Sequence, residues 1–187
     1  MPERAFFNGK IMNISLDLET LNTAPNSVIL SIGCVKFDPC NDVDPHSPFY
    51  HKLDVDSQLN MGRTVGDDTL EWWSKQPAAV FEEAMSDDGR VAVVDVMAEL
   101  NKYCVGVKYI YCQGTVFDIG LLDNLYRMHD RNLPWQYWQV MDTRLMYRMH
   151  GDMRIKQSND HNALADAYKQ AVAIQRTFSK LGITQCK

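Results

Sequence analysis

The chain has no long apolar run. Nothing in its 187 residues approaches the roughly 20 consecutive apolar residues of a membrane-spanning helix, so no membrane association is expected. The opening stretch MPERAFFNGKIMN has no apolar segment followed by a small-residue cleavage site, so no signal peptide is expected either. Cysteines are few and odd in number, five, with no C-x-x-C spacing, which argues against a zinc site. Cys34, Cys104 and Cys112 sit among apolar residues and read as buried free thiols in a reducing, cytoplasmic compartment. An excess of positive charge is also missing. With 19 basic and 24 acidic side chains the net charge is −5, which argues against a general nucleic-acid coat protein. It leaves room for an enzyme whose acids are neutralised by bound cations. There is no internal repeat, low-complexity tract or linker. Residues 1–10 read as a leader or tag-like tail and residues 11–187 as one domain, large enough to bury a core.

What the sequence does contain is an odd strand end. In "SLDLET" an apolar approach carries Asp17 and Glu19 one residue apart. Strand side chains alternate, so both carboxylates point to one face. Like charges side by side destabilise a sheet unless something compensates them. Ile11 to Asp17 reads as a strand, and "VILSIGCVKF", apolar on both faces, as a central one. Phe49 to Leu53 reads as a third, with Pro39, Pro45 and Pro48 marking the loop before it, giving an antiparallel meander. Helices follow. "DDTLEWWSKQ" has a capping-box-like start at Asp68 and Glu71, and "PAAVFEEAM" has Pro77 at a first helical position. "VAVVDVMAELNKYC", "FDIGLLDNLYRMHD", "DTRLMYRMH" (Asp142 as N-cap) and "HNALADAYKQAVAIQRTFSKLG" (Gly182 as stop) complete the helices, with "KYIYCQG" a short strand. This order predicts a mixed α/β sheet flanked by helices.

Acids recur where such elements meet. Asp118 lies where a helix begins after the short strand; its plainer reading is an acid favoured by the helix dipole. Asp166 lies among small residues of the last helix, and its plainer reading is an exposed helix acid. His161 precedes it by five positions, about 140° around an ideal helix, so the two face one site only if His161 stands at the frayed helix start. One shared site explains all of these. Four oxygen ligands without soft partners suit Mg²⁺ or Mn²⁺, and a pair of such ions is a standard device for attack on a phosphodiester. Neutral His161 then suits a general base.

The stretches Asp17-Leu-Glu19, Phe117-Asp118-Ile-Gly-Leu-Leu and His161-Asn-Ala-Leu-Ala-Asp166 resemble, in order, the three motifs of the DnaQ-like 3′–5′ exonuclease superfamily, in its DEDDh branch. The resemblance implies a ribonuclease H-like fold and release of mononucleotides from the free 3′ end of single-stranded DNA or RNA. It implies that Asp17, Glu19, Asp118 and Asp166 hold two divalent cations and that His161 is the base. It also implies that the main chain at Thr20 and Leu21 holds the terminal nucleotide. Thr69, Trp72 and Trp73 resemble a T-x-x-W-W helix of a subgroup from phages and bacteria, which differ in preferred nucleic acid; a homodimer is compatible. "DLETLNTAP" departs from the common D-x-E-T-T-G-L, with Thr23 in place of the wedging Leu, so the wedge is either Leu21 or absent. "CQGTVFD" lacks the Asn common before F-D.

Trp72 and Trp73 point about 100° apart. Both pack in the core, or one stacks a nucleobase. Arg144, Arg148, Arg154 and Lys156 form a basic run that either touches substrate phosphates or is a solvated face; Arg144 and Arg148 share a helix face. Two other functions fit parts of the pattern: a catalytically silent nucleic-acid-binding module and a ribonuclease H-like endonuclease.

Overall fold

The computed structural model describes residues 12–150, 155 and 161–185. The tail expected at residues 1–10, and Arg154 and Lys156 of the basic run, fall outside them. Six strands form one sheet: β1 (Met12–Thr20), β2 (Ile29–Phe37), β3 (His46–Leu53), β4 (Arg90–Val91), β5 (Val107–Cys112) and β6 (Val140–Asp142), in the order β4-β3-β2-β1-β5-β6. β1, β2 and β3 pair antiparallel, whereas β4 on β3, β5 on β1 and β6 on β5 pair parallel. The helices are α1 (Val55–Asn60), α2 (Asp67–Ser74), α3 (Ala78–Met85), α4 (Val93–Tyr103), α5 (Thr115–Met128), α6 (Thr143–His150) and α7 (Ala163–Lys180). This is the expected mixed, helix-flanked α/β architecture. Among the described residues no helix is long and apolar enough to cross a membrane.

β1 divides its two faces by chemistry. Ile14, Leu16 and Leu18 enter the main core with Val96, Met97 and Leu100 of α4 and Leu121, Leu122 and Leu125 of α5. Burial of such side chains stabilises by roughly 1.5–3 kcal/mol each. The alternate residues, Asn13, Ser15, Asp17 and Glu19, are polar and share the other face. α7 crosses that side of the sheet, with Ala171 and Ile174 packed against Val35, Phe37 and Tyr111. Its approach depends on Gly33, which pairs opposite Asp17 in the β1–β2 ladder. A Cβ on Gly33 would collide with backbone atoms of Ala163 and Leu164 at the start of α7.

Several local expectations are corrected. β1 runs on to Thr20, so Asp17 and Glu19 both lie inside the ladder. Pro48 lies within β3 rather than before it. Its missing N–H is tolerated because β4 pairs only Lys52 and Leu53, leaving β3 an edge at Pro48. α2 starts on Gly66 with no side-chain cap, so the Asp68–Glu71 capping box does not form. Pro77 is the N-cap of α3, one residue earlier than expected. Cys34, Cys104 and Cys112 are buried free thiols, as expected, and Cys40, outside that reading, is disulfide-bonded.

Gly33→Ala should therefore lift the start of α7 off the sheet. Overpacking of this kind costs about 1–3 kcal/mol, each worth roughly 2–4 °C of melting temperature in a domain of this size. Thermal denaturation checks it, and an unchanged melting temperature would contradict the close approach.

Candidate active site

Three elements converge above Gly33. β1 supplies Asp17 and Glu19, α7 supplies Asp166 in its first turn, and one carboxylate oxygen from each lies within 4.8 Å of the others. Asp118, in the first turn of α5, lines a cavity of about 220 Å³ together with Asp17, Asp166, Gln113, Lys169 and Gln170. All four expected acids thus face one place. α5 has no cap of its own, because it starts on Gly114 at φ 109°. Asp142 stands in: its Oδ2 accepts from the Thr115 N–H at 3.2 Å and the Thr115 hydroxyl at 3.4 Å. Its Oδ1 accepts from the Arg144 N–H at 2.8 Å, the capping role read for α6. One carboxylate therefore fixes the helix that carries Asp118 and the one that carries Arg144. The Arg144 guanidinium lies over Gly114, where a Cβ would come within 2.9 Å of it.

The acids are poorly compensated. Burial pushes the Asp17 carboxyl well above its usual range, and Asp118, Glu19 and Asp166 push the same way. The Gln170 amide, which donates from Nε2 to Asp17 Oδ1 at 2.8 Å, opposes them. Glu19 is raised to about 8, by burial first and then by Asp166 and Asp118. Asp118 is raised to about 7, again chiefly by burial, against the pull of its backbone hydrogen bonds and Arg144. Lys169 Nζ lies 3.1 Å from Asp166 Oδ1. An oxygen-only set of this kind, with raised carboxyls waiting for positive charge, fits hard divalent cations such as Mg²⁺ or Mn²⁺. Lys169 and Gln170 were not singled out from sequence. Their signal was available, since positions three and four residues after Asp166 share its helix face.

His161 lies just outside α7, before the N-cap Asn162, at φ 29°. The Asn162 side chain accepts from the Leu164 and Ala165 N–H groups, both at 3.1 Å, so the helix begins without His161. The expected frayed position holds. Its imidazole packs against Trp72, ring centroids 4.7 Å apart. Trp73 is buried, 1 % exposed, and its Nε1 donates to the Thr20 carbonyl at 2.9 Å. It is a core residue that forms part of the neighbouring cavity's wall, so of the two tryptophans only Trp72 is exposed enough to stack a nucleobase. Leu21 is buried too; its N–H donates to Val28 and its carbonyl accepts from Gly66. That removes Leu21 as a wedge and leaves its main-chain groups already paired. Thr20 and Trp72 line a neighbouring cavity of about 750 Å³ with Glu19, Asn22, Asp67 and Thr69. Arg144 and Arg148 are exposed on α6.

A model of the 3′–5′ exoribonuclease Rv2179c-like domain family matches residues 12–178. The chain belongs to this family. Membership agrees with the resemblance to DnaQ-like exonucleases. Among solved structures it is similar to cell-death related nuclease 4 (CRN-4), with 16 % identity and a TM-score of 0.52, covering 92 % of this chain and 65 % of that one. The likeness is one of fold. A further similar structure is Exonuclease X in complex with 5′ overhanging duplex DNA, with 16 % identity, a TM-score of 0.46 and coverage of 92 % and 93 %. No curated protein matches the chain.

The raised Glu19 carboxyl has a consequence for stability without metal. Between its ordinary value of 4.5 and about 8, the unfolded chain has lost a proton that the fold retains, so this group costs stability as pH rises through that window. Glu19→Gln removes the cost. In chelator, its melting temperature relative to wild type should climb as pH rises from about 5 and level off above about 8. A difference that does not change with pH would contradict the crowding of Glu19.

Proposed function

We propose that the chain is a metal-dependent 3′–5′ exonuclease of the DEDDh branch. It hydrolyses phosphodiester bonds at the free 3′ end of single-stranded nucleic acid and releases nucleoside monophosphates. RNA is the preferred substrate, as the family's description suggests. The observation that carries this is the meeting of Asp17, Glu19 and Asp166 within 4.8 Å, beside Asp118. No binding module gains from such a costly arrangement.

Asp17, Glu19, Asp118 and Asp166 would hold two divalent cations. When bound, these supply Lewis-acid stabilisation of the phosphate and an activated water. The chain's own residues do the rest. His161, as general base, would accept the proton from the attacking water. The cavity beside Glu19, lined by Thr20, Asn22 and Thr69, receives the terminal nucleotide. Arg144 and Arg148, one turn apart on an exposed face, meet phosphates farther along the strand.

Oligonucleotides labelled at either end test the proposal. Shortening from the 3′ end that stops in chelator and resumes with Mg²⁺ or Mn²⁺ is expected. Asp17→Asn should reduce activity to background and abolish the rise in melting temperature caused by metal. His161→Ala should keep that rise and lose about 10²–10⁴-fold in rate. Internal fragments, or full activity in chelator, would overturn the assignment.

A further inference from the structure

The two adjacent tryptophans of α2 do different work. Trp73 anchors the helix to β1: it is buried, and its Nε1–H reaches the Thr20 carbonyl one residue beyond Glu19. Trp72 is 42 % exposed and contributes little to the core. Its indole stands edge to face with Trp73, centroids 5.0 Å apart and planes at 77°. It meets the His161 imidazole in the same way, at 4.7 Å and 76°. The third side of this cluster, Trp73 to His161, spans 6.4 Å. Perpendicular aromatic contacts at such separations are favourable and directional.

His161 needs such a contact. It precedes the helix, so no helical hydrogen bond fixes its backbone, and its φ of 29° is a conformation that non-glycine residues hold only when their surroundings impose it. We propose that Trp72 is a positioning residue for His161: α2, pinned to the end of β1 through Trp73, offers the indole as a fixed wall that sets the imidazole against the acids. This rests on His161 being the general base. It gives the tryptophan pair one joint task, tying the acid-bearing strand to a residue near the other end of the chain. The competing role for Trp72 is stacking on a nucleobase. The two roles separate kinetically, because a wall for the base acts on the chemical step and a stacking platform acts on substrate binding.

The test uses Trp72→Leu, Trp72→Phe and the double variant Trp72→Leu/His161→Ala, with metal present and a single-stranded RNA oligonucleotide as substrate. Trp72→Leu should lower kcat by at least about 10-fold, since small misplacements of a catalytic group carry penalties of this order, with KM nearly unchanged. Trp72→Phe should recover most of kcat. In the His161→Ala background Trp72→Leu should cost nothing further, because the group it positions is gone. In the NMR spectrum of metal-free protein, His161 ring protons should shift in Trp72→Leu as the indole ring current is lost. An unchanged His161 signal, a raised KM at constant kcat, or an equal kcat loss in both backgrounds would overturn the proposal. Wild-type kcat in His161→Ala would instead overturn the base assignment itself, and this inference with it.

Discussion

The site depends on one close approach: the start of α7 lying against Gly33. Gly33 faces Asp17 across the β1–β2 ladder, and it has no side chain to hold the helix away. The first turn of α7 therefore brings Asp166 onto the two carboxylates that strand alternation has already put on one face. Burial raises Asp17, Glu19 and Asp118, and repulsion from Asp118 and Asp166 raises Asp17 and Glu19 further. The strain is borne by the opposite face of β1, where Ile14, Leu16 and Leu18 lock into α4 and α5. One strand thus serves two ends, its even positions stabilising the fold and its odd positions bearing the functional charge. Sites that work by concentrated charge are commonly unfavourable on their own and rely on such compensation elsewhere.

The surroundings refine that arrangement. Asp142 caps two helices at once and fixes Asp118 through α5 and Arg144 through α6. Gln170 and Lys169 reach back along α7 to Asp17 and Asp166. α2 closes the remaining side through its tryptophans. Apart from the Asp142 cap of α6, these contacts join residues far apart in sequence or lie on a helix face whose direction only the fold defines.

This difference explains what was legible from sequence. Asp17, Glu19, Asp118, His161 and Asp166 could be read because the first two share one face of a strand, the others stand at helix starts, and crowded carboxylates are costly without compensation. The long elements were legible by periodicity; α5 and α7, at 14 and 18 residues, are long enough to show it. β4 and β6 have two and three residues, and α1 has six, too short for any period to show. Gly66 took the cap position of α2 because its own N–H is committed to Leu21, a long-range bond that no local pattern reveals. The same bond buries Leu21, which sequence left as a candidate wedge. Trp72 and Trp73 looked alike in sequence, and only the anchoring of α2 on Thr20 distinguishes them.

The central claim is that Asp17, Glu19 and Asp118 are forced together and keep protons until cations replace them. Calorimetric titration of Mg²⁺ or Mn²⁺ into metal-free protein, in buffers of different ionisation enthalpy, counts the protons released. The account requires release at about pH 6.5 that falls off above about pH 9, where Glu19 and Asp118 are already ionised. Cation binding with no proton release at either pH would contradict it.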